Sequence, residues 1–498
     1  MRGPAAFVFC LLALELQGCA KAQPASLASL PSSTSAQRTS LQQLRRDITA
    51  ATTGPGVQRA AWGVVVESLD RGDRLFELNA RNLFVPGSVA KLVTLATAAD
   101  SVGWDYRFET TLQSAGPIVD GVLQGDLLVV GSGDPALGGR AGDDLDPLVS
   151  GLKSQGIRRI DGRIIGDDDA FEDPRPGLFW GWDDLGYPYG ALFGALNFGE
   201  NRMTVTITPG VSEGTPPTIT VDPQVAYRPL ANRSLTGPRG SAQLLWPEQR
   251  PGEPFLTLAG SIPVGAPSAM LSVSAGNPTF WFASVLRNRL ITQGIEVNGE
   301  AFDVDDAMPL PERGSARVLY TYWSHPLSEI AQPMLKESIN LYAEAALRLN
   351  AAAPPRTNDA ALEGMRRRLE AWGITRDGWQ LIDGSGLSRR DVVTPDTLVT
   401  VLRRMYDASG MSPWMTALPI AGRDGTLDGR MKGTAAEDNV RAKTGTMANI
   451  RTLAGYVKTR AGEPLAFAIV VDNFEGTGAQ AVTAIDAIAV RLASFSRN

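Results

Sequence analysis

Between residues 108 and 305 the chain changes texture, and that change limits the folds open to it. Short alternating runs such as NRMTVTITPG (201–210), TPPTITVDP (215–223) and AMLSVSAG (269–276) are separated by Pro- and Gly-rich turns. Period-two runs closed by such turns predict one or two β-rich modules. On either side, helix and strand patterns alternate. SLQQLRRDITAAT (40–52) has helical spacing, and AAWGVVVESL (60–69), DRGD and RLFELNA (74–80) read as a hairpin whose turn accounts for the RGD triplet. Beyond 305, the segments 328–350, 358–373 and 394–407 predict helices, and VRAKTGTMANIRTLAGYVKT (440–459) and PLAFAIVVDN (464–473) read as strands. Residues 477–495 predict a C-terminal amphipathic helix. Gly156, Gly294 and Gly373 each close a helical run as C′ glycines, a reused helix-to-strand connection. With 498 residues, 43% of them hydrophobic and 20% charged, the chain is long enough for two or three globular domains.

The chain's missing residue types narrow the chemistry. Both cysteines, Cys10 and Cys19, stand at the N-terminus, so the body holds no disulfide and no thiolate metal site. A single histidine, His325, excludes a clustered-histidine zinc centre, and the SHP around it reads as a turn. No metal and no organic cofactor is expected. A net charge of −6 without a basic run carries no nucleic-acid signature. At the N-terminus, Arg2 precedes an apolar run from Ala5 to Leu14 and then small residues. That run is too short to span a bilayer and reads as an export signal. LQGC, ending at Cys19, resembles a lipobox and would place a lipid on Cys19, whereas AKA (20–22) offers ordinary cleavage before Gln23. Residues 1–22 are thus expected to be a signal or lipoprotein segment, and 23–38, rich in Ser, Pro and Ala, a flexible tether.

One stretch, VPGSVAKLVTLATAAD (85–100), poses a sharper question. Pro86 and Gly87 read as a turn, and Leu92, Leu95, Ala96 and Ala99 give the helix that follows an apolar face. Ser88 then falls at the helix start with Lys91 one turn on, on the same face. A capping serine and a surface lysine would look the same as a nucleophile and its proton acceptor. Two later stretches decide between them: Ser338-Ile339-Asn340 in LKESINLY, and Lys443-Thr444-Gly445-Thr446 in VRAKTGTMAN. Each is weak alone. Together, in order, they form S-x-x-K, S-x-N and K-T-G, the motif set of penicillin-binding proteins and serine β-lactamases.

These residue types suit acyl transfer. A serine hydroxyl needs a base, and without a catalytic histidine that base is a lysine whose pKa is lowered by burial or a second cation. Lys91 is placed to be the base, and Lys443 to be the second charge. Ser338 and Asn340 suit a proton relay and a grip on the substrate amide. Gly445 lets a strand backbone approach a substrate edge-on. The N–H groups of Ser88 and Thr446 suit an oxyanion hole. Lys443, Thr444 and Thr446 make a cationic, hydroxyl-rich seat for a free carboxylate.

About 250 residues separate Ser88 from Ser338, far more than a compact β-lactamase needs, and the excess matches the β-rich stretch. With DGSGLSR (383–389) and PIAGRDGTLDGRM (419–431), the motifs resemble peptidase family S13. These are the class C low-molecular-mass penicillin-binding proteins, D-alanyl-D-alanine carboxypeptidase/endopeptidases. GSGDPAL, IIGDDDAF and WGWDDL extend the resemblance into the middle of the chain. It implies a multidomain α+β protein. A transpeptidase-like α/β/α sandwich on an antiparallel sheet (39–107 and 306–498) would be split by a β-rich insert (108–305) of two nested modules. It implies attack on the D-Ala-D-Ala bond of peptidoglycan stem peptides, release of D-Ala from an acyl-enzyme, and covalent inhibition by β-lactams. It also implies a place in the periplasm of a Gram-negative bacterium. Arg389 matches a family position near the substrate's side-chain carboxylate. Asp168 and Phe171 in GDDDAF are carried over as substrate-binding positions, in a stretch that reads equally as a polar turn on an insert strand. A β-lactamase or esterase would use the same motif residues and differ in the rate of acyl-enzyme hydrolysis. A non-catalytic wall-binding envelope lipoprotein would not need all seven motif residues.

Overall fold

The strand AWGVVVES (Ala61–Ser68, β1) is buried from Trp62 onward, a pattern a strand shows when both of its faces are covered. The computed structural model describes residues 35–497 apart from 141, 174–175, 226–229, 251–252, 254 and 312, and shows what covers them. β1 pairs with β2 (Arg74–Leu78), closing the expected hairpin. The stretch 440–459 folds as two strands, β3 (Arg441–Met447) and β4 (Ile450–Lys458), joined by a two-residue turn in which Asn449 takes a φ of +59°. β5 (Pro464–Asp472) lies between β4 and β1, giving a five-stranded antiparallel sheet of order β2–β1–β5–β4–β3.

The main helices of the two flanking segments are α1 (Ser35–Thr52), α2 (Ala90–Val102), α3 (Leu327–Lys336), α4 (Asn340–Arg348), α5 (Asn358–Ala371), α6 (Pro395–Tyr406) and α7 (Gly478–Ala493). Alternate strand residues divide between two cores, as the period of two requires. Val64, Val66, Phe467 and Ile469 pack with Leu44 and Ile48 of α1 and Ile485 and Leu492 of α7. Val65, Ala466, Ala468 and Val470 face the other way, with Leu92 and Leu95 of α2 and Leu398 and Val401 of α6. This is the expected α/β/α sandwich. α1 begins at Ser35, inside the stretch 23–38 read as tether, and the signal segment 1–22 lies outside the described residues.

Two sequence expectations change. α2 was expected to show one apolar face, but every residue from Ala90 to Ala99 is buried. Its polar residues are satisfied internally: Thr97 Oγ1 donates to the Val93 carbonyl (2.9 Å) and Thr94 Oγ1 to that of Gly384 (2.7 Å). The single helix expected over 328–350 is broken into α3 and α4, with Ser338 between them at φ +64°. An L-residue in the left-handed region costs about 1 kcal/mol or more. Ser338 Oγ accepts from Lys443 Nζ (2.9 Å), a contact that holds it there.

The middle of the chain forms its own sheets. Glu109–Ala115, Asp126–Gly131, Ile164–Asp167, Ala301–Asp303 and Arg317–Trp323 make one five-stranded sheet. The strands from Arg202 to Ser274 form two further sheets inserted between its third and fourth strands in sequence. Since Arg317–Trp323 pairs with Glu109–Ala115, the insert's sheet extends past the expected boundary at 305.

Candidate active site

The turn carrying Ser88 is fastened to the central sheet from several sides. Phe84 exchanges backbone hydrogen bonds with Val393, and the Val85 amide donates to Asp472 Oδ2 (2.9 Å). The Pro86 carbonyl accepts from Thr452 Oγ1 of β4 (2.9 Å). Gly87 sits at φ +52°, and residues 87–89 form a 3-10 turn running directly into α2. Ser88 thereby opens onto a cleft of about 530 Å³ shared with Ser338, Asn340 and Thr446. β3 closes one side so tightly that a Cβ built on Gly87 would lie 3.4 Å from the Thr446 amide, and one on Gly445 3.2 Å from the Ser88 amide.

Beneath the cleft lie two lysines without solvent exposure. Lys91 Nζ is 2.8 Å from Ser88 Oγ, 2.7 Å from Asn340 Oδ1 and 2.9 Å from the Ser385 carbonyl. Burial brings Lys91 down to about 7, against the opposing pull of the Asp383 and Glu344 carboxylates. Lys443 Nζ donates to Ser338 Oγ (2.9 Å) and the Thr444 carbonyl (2.8 Å). Burial, and then the neighbouring Lys91, hold Lys443 well below the usual lysine range. Asn340 Nδ2 donates to the Tyr189 carbonyl of the insert (2.8 Å), which fixes its amide so that Oδ1 faces Lys91. Thr444 Oγ1 donates to Thr426 Oγ1 (2.8 Å). All three motifs, far apart in sequence, meet in one place.

That meeting agrees with comparison to known proteins. The model of the D-Ala-D-Ala carboxypeptidase 3 (S13) family matches residues 44–495. The chain belongs to this family. It is 34% identical over 484 residues to the D-alanyl-D-alanine carboxypeptidase of Actinomadura sp. (strain R39), covering 94% of this chain and 88% of that protein. The crystal structure of penicillin binding protein 4 (dacB) from Haemophilus influenzae superposes with a TM-score of 0.77 at 26% identity, over 89% of this chain and 98% of that one. A complex of the same H. influenzae protein with a β-lactam matches at a TM-score of 0.71 and 25% identity, over 88% and 97% of the two chains.

In this S13 chain Arg389 is exposed at the cleft, its guanidinium donating to the Ala448 carbonyl (3.2 Å). Asp168 and Phe171 are not among the cleft-lining residues. Phe171 is buried in a core with Ala136 and Phe193, its ring so close over Gly133 that a Cβ there would lie 2.2 Å away. Asp168 is buried and accepts from Thr279 Oγ1. The local pattern GDDDAF could not tell a cleft-facing strand end from a core-facing one. His325 pairs with Glu329 (2.7 Å) outside the cleft, as its turn context implied.

Sequence reasoning missed an arm of the insert. Phe179, Asp183, Asp184 and Tyr189 line the cleft. Trp180 Nε1 donates to Asp383 Oδ2 (2.8 Å), fixing the arm to DGSGLSR. The WGWDDL motif was visible, but nothing local shows that an insert loop returns to the active cleft.

Proposed function

We propose that this chain is a serine DD-peptidase that cleaves the D-Ala-D-Ala bond of peptidoglycan stem peptides through an acyl-enzyme on Ser88. The contacts of Lys91 Nζ carry the reading. A neutral amine has two hydrogens and one lone pair. Asn340 Oδ1 and the Ser385 carbonyl take the two hydrogens, and the lone pair is left facing Ser88 Oγ. Burial favours this neutral form. Ser88 passes its proton to Lys91 and attacks the carbonyl of the penultimate D-Ala. The amides of Ser88 and Thr446 hold the oxyanion. Ser338 relays the proton to the leaving amine, D-Ala departs, and water hydrolyses the ester. Asn340 grips the substrate amide, Gly445 admits the substrate backbone, and Lys443 with Thr444 and Thr446 attracts the terminal carboxylate.

The same groups serve D-Ala-meso-diaminopimelate cross-links in an endopeptidase reaction, with Arg389 toward the side-chain carboxylate. β-Lactams acylate Ser88 in place of substrate. No helix among the described residues is long and apolar enough to cross a membrane. We place the protein in the periplasm, exported by its N-terminal segment, with two processing routes open: a lipid on Cys19 or ordinary cleavage after Ala22. Incubation with a stem pentapeptide ending in D-Ala-D-Ala is expected to release D-alanine, and Ser88→Ala to release none. Equal release by the variant would exclude Ser88 as the nucleophile.

A further inference from the structure

Behind Lys91 lies a second buried layer that the reaction as described does not use. Glu344, on α4, is 2% exposed and Asp383 is 2% exposed. Glu344 accepts the backbone N–H groups of Gly384 (3.1 Å) and Ser385 (2.9 Å). Asp383 accepts those of Ser385 (3.0 Å), Gly386 (2.6 Å) and Ser388 (2.8 Å). Thr94 Oγ1 holds the Gly384 carbonyl from the side of α2. This turn cannot sit elsewhere: Gly386, at φ +79°, would place a Cβ 2.0 Å from the Gly87 carbonyl, and Gly384 would place one 2.5 Å from that of Ala343. Its purpose is visible at its apex, where the Ser385 carbonyl meets Lys91 Nζ.

We propose that Glu344 is a positioning residue for Lys91: it pins the 384–385 amides so that the Ser385 carbonyl meets Nζ. The proposal rests on Lys91 being the base. An amine that takes Ser88's proton and later gives it up needs an intermediate proton affinity. Burial alone drives that affinity down, and buried carboxylates behind the amine oppose the fall. The charged groups around Lys91 are few. Asp383 faces it from the turn, Glu344 from α4 and Lys443 from β3. Burial, and then the Asp383 carboxylate, push Glu344 up to about 7, and Arg348 opposes the rise. Asp391 sits behind Asp383 and is pushed well above the usual carboxylate range by burial. On α2 itself the only other titratable group, Asp100, is near the opposite end.

The test is the pH profile of the second-order rate constant for acylation by a chromogenic cephalosporin, in wild type, Glu344→Gln and Glu344→Asp. Glutamine keeps the shape and an acceptor: Oε1 alone lies within 3.1 Å of both amides. Because Glu344 is already largely protonated below about pH 7, removing its charge is expected to leave acylation at pH 6 within about twofold of wild type, and the retained acceptor to keep the plateau within about threefold. A purely structural role would instead lower the plateau in step with a fallen melting temperature in both variants alike. Aspartate keeps the charge but withdraws the acceptor by one methylene. Its midpoint is expected to stay while its plateau falls about tenfold, since the Ser385 carbonyl loses its anchor. A plateau that falls about tenfold in a folded Glu344→Gln, or a full plateau in Glu344→Asp, overturns the proposal and leaves the role of Lys91 intact. A wild-type profile with no titration between pH 6 and 8 overturns both.

Discussion

Lys91→Met is expected to slow acylation of Ser88 by a β-lactam about a thousandfold, within the range assigned to a positioned general base. Methionine fills much of the same volume in the enclosed interior around α2. It removes the group proposed to accept the Ser88 proton and leaves Asn340 Oδ1 and the Ser385 carbonyl without their donor. The pH dependence should change with it. On the proposed mechanism the active form in wild type is the neutral amine, which burial favours by bringing Lys91 down to about 7. Acylation should therefore rise with pH through that region and fall about tenfold per unit well below it. The Met variant has no such group, and its residual rate should be flat there. Its melting temperature should hold or rise, because a buried amine is a cost to the fold that catalysis requires. Stopped-flow acylation between pH 5 and 9, with a thermal melt, measures all three.

Gly445→Ala should be nearly as damaging, for a purely steric reason. A Cβ at 445 would lie 2.1 Å from Thr452 Oγ1 and 2.5 Å from the Pro86 carbonyl, on top of the hydrogen bond those two atoms make. Pro86 and Ser88 are backbone neighbours in a turn already fastened to β4, β5 and Val393. β3 must then retreat from the serine, carrying Thr446 and the amide proposed to bind the oxyanion with it. A displacement of about 1 Å in such a site costs about a hundredfold in rate. The overpacked interface should cost about 1–3 kcal/mol in stability. Gly429→Ala is the control: no atom lies within 4 Å of its Cβ position, so rate and melting temperature should be unchanged. Loss of kcat/KM in both variants alike would argue against the steric account.

The three motifs were legible because each is local. Ser88 and Lys91 share one helical turn, and Lys443 to Thr446 form one short run of strand. The sandwich was legible for a similar reason: the continuous apolar run of β5 requires cover on both faces. What escaped depends on tertiary contact. No Gly or Pro lies between Leu335 and Asn340 to mark the break at Ser338, and the left-handed φ there is held by a lysine 105 residues away. Glu344 on α4 looks like an ordinary polar helix residue until DGSGLSR folds onto it. Tyr189 holds Asn340 through its backbone carbonyl, which no side-chain pattern encodes. Asp168 and Phe171 show the opposite failure, where a short motif was assigned to the cleft although packing against Gly133 directs its aromatic ring into a core.

The central claim is that Ser88 becomes acylated with Lys91 as its base, and a covalent adduct tests it most directly. The protein would be incubated with benzylpenicillin, digested, and the modified peptide located by tandem mass spectrometry. One acyl group on Ser88, absent from Ser88→Ala and greatly delayed in Lys91→Met, is the expected result. An adduct on another residue, or an adduct on Ser88 formed at an undiminished rate without Lys91, would contradict the account.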